Sequence, residues 1–182
     1  NYNTARSVAI FKDKWRDKIR PDVVVVHYFI NDAELLPPSS GNILIRNSQI
    51  AVTFYHRIQG ILNKSHTVDS LVSHYRQVYR PESAGFKKMM ASLGELKSMS
   101  EKDGFKVVLA LIPDIHQLEN YPFNFVHDKM LQIAQSYRWE FVDFLDVLDT
   151  YKGPELWTIP GDPHPNKLVH RLMANYLAPK LK

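Results

Sequence analysis

Residues 23–29, Val-Val-Val-Val-His-Tyr-Phe, narrow what this chain can fold into more than any other segment. A strand with one wet face alternates apolar and polar side chains. A continuous β-branched and aromatic run predicts instead a strand covered on both faces, the kind found inside parallel sheets. Phe105 to Ile112 repeats the pattern, and Trp139 to Phe144 supplies a shorter third strand. Between and around them the apolar spacing changes from continuous to helical. Val8, Phe11, Trp15 and Ile19 recur every three or four residues within Thr4–Ile19, a helix that Arg20-Pro21 ends. Further helices are expected over 43–62, 68–79, 83–102 (closed by Asp103-Gly104), 123–137 and 166–181.

Strands joined by helical crossovers imply an α/β fold, an open parallel sheet with helices on both faces, hence three layers. The stretch 37–82 is long for one crossover and is expected to be an inserted helical cap. With 182 residues and 45% hydrophobic content, the chain is expected to form a single domain over 1–182. The net charge of +4 comes without a dense Lys/Arg run, which argues against nucleic acid as a partner. No apolar run approaches the ~20 residues of a membrane span, and residues 1–20 carry no signal-peptide core. The absence of cysteine excludes disulfides, thiolate metal sites and a cysteine nucleophile, and leaves the compartment unknown.

In open parallel sheets, chemistry gathers beyond the carboxyl ends of the strands. That directs attention to Asn31-Asp32, to Pro113-Asp114 and to the loop after 139–144. It also raises interest in Asp162-Pro163-His164-Pro165-Asn166. The two prolines bias Asp162 and His164 toward extended dihedrals, and in an extended segment residues two apart point the same way. A carboxylate bonded to one imidazole nitrogen fixes the tautomer and leaves the other nitrogen as a general base. The other reading is an ordinary turn before a helix that Asn166 caps. Asn31 can donate its amide to a developing oxyanion, with Asp32 organising the loop behind it; the pair can equally just turn the chain. Asp114 and His116 are candidates for lining a substrate pocket or for a solvated loop. Trp157 can stack on a sugar or acyl group, or plug the core.

Together these segments resemble the SGNH (GDSL-type) hydrolase superfamily. The resemblance rests on the strand Pro21–Val26 leading to Asn31-Asp32, the strand ending Leu111-Ile112-Pro113, and Asp162-Pro163-His164-Pro165-Asn166 opening the last helix. It implies a flavodoxin-like three-layer fold and a serine esterase in which His164 is the base, Asp162 the orienting acid and Asn31 an oxyanion donor. Three departures accompany it. Phe29 stands where the family usually has glycine, and the acid sits two residues before the histidine rather than three, as in polysaccharide O-acetyltransferase relatives. No Gly-Asp-Ser block is present.

The resemblance therefore implies that the chain is the C-terminal part of a longer protein. A preceding N-terminal segment would bring the first strand, the serine and a glycine donor, and complete the sheet. None of Ser7, Ser39, Ser40, Ser48, Ser65 or Ser70 is expected in a strand-to-helix elbow. The expected substrate is a small-molecule or carbohydrate ester, with no cofactor, and the resemblance accommodates export. Eight histidines raise the question of a metal, but His-Glu-x-x-His is absent and His164 and His170 are six apart; no metal site is expected. Two alternatives stay open, an O-acetyltransferase of the same superfamily and a non-catalytic carbohydrate-binding α/β module. A flavin-binding protein of similar architecture lacks the phosphate-cradling loop it would need.

Overall fold

The computed structural model describes residues 3–35 and 68–181. The candidate helix 43–62, and most of the expected insertion, lie outside these residues. Helix α1 (Thr4–Ile10) runs through a π-helical turn, Phe11–Trp15, into α2 (Arg16–Ile19). Strand β1 (Val23–Phe29) ends in a 3-10 turn, Ile30–Ala33. Then follow α3 (Val68–Val78), α4 (Ala84–Asp103), β2 (Lys106–Ile112), α5 (Asn124–Tyr137) and β3 (Glu140–Asp143). Two short helices, α6 (Leu145–Leu148) and α7 (Gly153–Leu156), precede a hairpin of β4 (Trp157–Ile159) and β5 (Asp162–Pro165). Helix α8 (Lys167–Leu177) and a 3-10 turn, Ala178–Leu181, finish the chain.

The architecture is mixed α/β around a three-stranded parallel sheet in the order β1-β2-β3. Val23 pairs with Lys106 and Phe29 with Ile112, while Val108 pairs with Glu140 and Leu111 with Asp143. All three strands therefore leave the sheet at one edge. Alternate residues of β2 divide the core. Leu109 and Leu111 pack with Met89 and Leu93 of α4 and Met130 of α5, and Val108 and Ala110 with Leu148, Leu156, Val169 and Met173. Val107 joins Val8, Leu96, Met99 and Phe105 beneath α1. Each fully buried leucine of this kind is worth roughly 1.5–3 kcal/mol of apolar burial.

The outer strand departs from the sequence expectation. The run 23–29 predicts cover on both faces, yet Val23–Val26 are only half-buried and His27 is exposed rather than a core residue. Among the described residues, β1 has one sheet neighbour, β2. Its other edge borders a cleft of about 360 Å³ lined by Val8, Phe11, Val24, Val26 and Asp32 among others. The side-chain pattern of the run suits an interior strand, and among the described residues its position is at an edge.

The turn that carries Asn31 is held from several sides. Tyr79 donates its hydroxyl to the Ile30 carbonyl (2.9 Å) and lies 2.6 Å from the Tyr28 hydroxyl, so the end of α3 clamps the turn from within the core. The 68–82 part of the expected cap thus contributes Tyr75 and Tyr79 to the main core cluster. Asn3 caps α1 by accepting the Arg6 amide, and its own Nδ2 donates to the Glu34 carbonyl at 2.9 Å. Gly85 allows the closest approach, since a β-carbon there would stand 2.1 Å from the Ala33 carbonyl oxygen. Gly85→Ala is therefore expected to cost about 2–4 kcal/mol, because the clash is with backbone and cannot relax by a rotamer change. Urea unfolding checks this; a loss below about 0.5 kcal/mol, the usual size of a neutral surface change, would mean the turn is not packed on α4 as described.

Candidate functional site

Three polar groups stand at or beyond the carboxyl ends of the strands. The first is Asn31, whose side chain is exposed on the 3-10 turn after β1. Beneath it, Asp32 accepts the Phe29 amide at 2.7 Å. Burial pushes the Asp32 carboxyl up to about 6, opposed in part by the amides of Phe29 and Thr4. Asp32 thus braces the turn, and it also lines the cleft beside β1.

The second is the β4–β5 hairpin. Pro160 and Gly161 turn the chain, Gly161 taking φ +82°, so that Trp157 pairs with Pro165 and Ile159 with Asp162. Asp162 Oδ1 accepts both the backbone N–H of His164 (3.2 Å) and its ring Nδ1. A carboxylate only accepts, so Nδ1 carries the proton and Nε2 is the free nitrogen of the neutral ring. The ring and the amide of His164 hold the Asp162 carboxyl below its ordinary range. The His164 side chain is 82% exposed. Its backbone is tied down by Thr158, whose hydroxyl donates to the His164 carbonyl at 2.9 Å. Asn166 caps α8 through the amides of Leu168 and Val169, as its position before the helix predicts.

The third is a second Asp-x-His pair of the same construction. Asp114 Oδ1 accepts the His116 amide (2.9 Å) and its Nδ1–H (2.7 Å). The pair follows directly on the central strand β2, with the Asp114 side chain 9% and the His116 side chain 62% exposed. Trp157 connects the two pairs. Its backbone pairs with Pro165, next to His164, and its indole Nε1–H donates to the Ile115 carbonyl at 2.9 Å. Trp157 is half-buried and packs against the cluster under α8, so one face of it does core work.

A network that sequence reasoning missed stands behind Asp114. His127, on α5 and 7% exposed, gives its Nδ1–H to Asp143 Oδ2 at 2.6 Å, at the carboxyl end of β3. Its Nε2 lies 3.1 Å from the Tyr121 hydroxyl, which in turn accepts the Asp114 amide at 3.0 Å. Burial pushes the Tyr121 phenol up, so it keeps its proton and donates to His127. The only signal in the sequence was Asp143 at the end of a strand; its partner lies 16 residues earlier on a helix. The arrangement is a carboxylate, an imidazole and a hydroxyl in line, but that hydroxyl is engaged on both sides, and its structural effect is to pin the backbone at Asp114.

Among the described residues, no hydrogen bond joins Asn31 to either histidine pair, and no three His, Asp or Glu side chains gather closely enough to hold a metal ion. No helix among them is long and apolar enough to cross a membrane. Comparison with family models, with curated proteins and with solved structures returns no match for the chain.

Asp32 offers a test of the turn. A carboxyl raised from 3.8 to about 6 on folding favours the folded state while protonated, and that stability is lost as pH rises from about 4 through 6. Asp32→Asn keeps an oxygen for the Phe29 amide and removes the charge. The unsubstituted protein should lose up to about 3 kcal/mol over this window relative to the variant. Urea melts at pH 4 and 7 measure it, and parallel pH dependences in the two proteins would contradict a buried Asp32.

Proposed function

We propose that this chain belongs to an ester hydrolase of the SGNH type, acting on a small-molecule or carbohydrate ester through a serine, with His164 as base, Asp162 as its orienting acid and Asn31 as an oxyanion donor. The observation that carries the reading is the bond from His164 Nδ1 to Asp162, which leaves Nε2 open toward solvent on a hairpin anchored to the sheet's carboxyl end. This is the arrangement a general base needs: fixed tautomer, fixed ring, free second nitrogen. The finer fold assignment, a three-layer flavodoxin-like sandwich, is supported by the split of the β2 side chains between two core clusters.

The nucleophilic serine, in this reading, comes on a strand outside residues 1–182 that pairs with the edge of β1 that has no neighbour among the described residues. Support comes from the strand itself: Val24, Val25 and Val26, of interior character, border an apolar cleft on the side that has no sheet neighbour among the described residues. A parallel strand there would have its carboxyl end beside the Asn31 turn. In the cycle, His164 Nε2 takes the serine proton as the hydroxyl attacks the ester carbonyl. Asn31 Nδ2–H donates to the oxyanion, and water then releases the acyl group. Transfer of the acyl group to a glycan hydroxyl uses the same groups, and the two-residue spacing of Asp162 and His164 favours keeping that second reading.

The full-length protein should release p-nitrophenol from p-nitrophenyl acetate. His164→Ala should lower kcat on the order of 10²–10⁴-fold. Asn31→Ala should lower it on the order of 10²–10³-fold with little change in KM, since the donor acts on charge that exists only in the transition state. Activity indifferent to His164→Ala would remove the base assignment. Adding glycans and measuring acetylated sugar against free acetate separates transfer from hydrolysis.

A further inference from the structure

His116 combines two properties that rarely coincide: an exposed imidazole and a backbone held rigid from four directions. Asp114 grips its amide and its Nδ1. The Tyr121 hydroxyl holds the Asp114 amide, backed by His127 and Asp143. The Trp157 indole holds the Ile115 carbonyl. Gly153 presses so close that a β-carbon on it would stand 2.6 Å from the Ile115 oxygen and 2.8 Å from that of His116. A loop that merely turns the chain needs none of this, and spending a buried histidine on it is costly unless position matters. Asp114 holds Nδ1–H of His116 as Asp162 holds that of His164, which turns Nε2 away from the carboxylate, and Trp157 sits between the two pairs, its indole bonded to the Ile115 carbonyl and its backbone paired beside His164.

We propose that His116, oriented by Asp114, is a second acid–base group of the same site, serving the alcohol and the water while His164 serves the nucleophile. The proposal rests on the ester-hydrolase reading above. In acylation the serine oxygen bonds to the ester carbon, and its proton passes to His164 Nε2. His116 enters the cycle as the imidazolium, its Nδ1–H held by Asp114; the ester C–O bond then breaks, and the departing alcohol oxygen takes the Nε2 proton of His116, leaving that ring neutral. His164 keeps its proton through the acyl-enzyme. In deacylation water bonds to the acyl carbon and gives a proton to His116 Nε2. The serine oxygen leaves and recovers its proton from His164. Over one turn an ester and a water become an acid and an alcohol, and both imidazoles return to their starting states. Tyr121, His127 and Asp143 are positioning residues for this dyad.

The test compares leaving groups in the full-length protein. p-Nitrophenolate departs without a proton, whereas an alkoxide does not. His116→Gln should keep the pre-steady-state burst of p-nitrophenol from p-nitrophenyl acetate within about threefold, yet lower steady-state turnover and ethyl acetate hydrolysis on the order of 10²-fold. His116→Ala should show the same split, and His164→Ala should lose the burst itself. Tyr121→Phe should lower ethyl acetate kcat severalfold while sparing the burst, a difference that general unfolding would not produce. His116 variants with unchanged steady-state rates on both esters, or with a burst lost as completely as in His164→Ala, would overturn the proposal. No p-nitrophenol release by the unsubstituted protein would overturn the ester-hydrolase reading and this proposal with it. Loss confined to the His116 variants' burst would leave that reading standing and reject the second acid–base role alone.

Discussion

Parallel pairing of β2 with both neighbours is the constraint on which the rest of this structure depends. Because Val23–Phe29, Lys106–Ile112 and Glu140–Asp143 run in the same direction, their ends open onto one edge of the sheet. Asn31, Asp114 and Asp143 come to that edge for this reason and not through any local motif. The strand that enforces it is the most deeply buried among the described strands, with Leu109 and Ala110 fully covered from opposite faces. Burial of that kind tolerates neither a register slip nor a reversal, since either would turn core side chains toward the wrong cluster. The sheet therefore acts as a rigid base, and each polar group beyond it is then fixed by a few specific bonds.

Those bonds follow one scheme. Asn31 and the two histidines are exposed, while the groups behind them, Thr158 excepted, are buried or half-buried. Asp32 and Tyr79 sit behind the first, Asp114 with Tyr121 and His127 behind the second, and Trp157 with Thr158 around the third. Exposed side chains on anchored backbone suit acid–base and oxyanion chemistry, where a displacement of about 1 Å can cost 10²-fold in rate. The cost falls on the buried members. Asp32 sits in the protein with its carboxyl raised to about 6, a charge the fold accommodates only because backbone amides face it.

Much of this was legible in the amino-acid order, for identifiable reasons. Strands 23–29 and 105–112 stand out because an unbroken apolar run has few other uses, and the end of α4 because Gly104 takes φ +82°, which asparagine and glycine alone adopt readily. The contact of Asp162 with His164 follows from proline restricting both residues. What could not be read is what depends on distant partners. A run of valines reports the environment its side chains prefer and not the number of strands beside it, so the single neighbour of β1 among the described residues was invisible. The bond between His127 and Asp143 exists only once α5 has packed against β3. The hairpin at 157–165 was legible in part: Pro160-Gly161 is a turn signal, but three-residue β4 is too short to show a period. The π-helical turn at Phe11–Trp15 has no signature in the apolar spacing, which continues through it unbroken.

The central claim is geometric: the free nitrogen of His164 and the carboxamide of Asn31 face one reacting hydroxyl. A crystal structure of the full-length protein after treatment with a p-nitrophenyl alkylphosphonate tests it most directly. The account predicts a serine bonded to phosphorus, a phosphonyl oxygen within hydrogen-bond distance of Asn31 Nδ2, and His164 Nε2 beside the serine oxygen. A phosphonate carried by a residue remote from both, or a serine adduct with His164 turned away from it, would contradict the account.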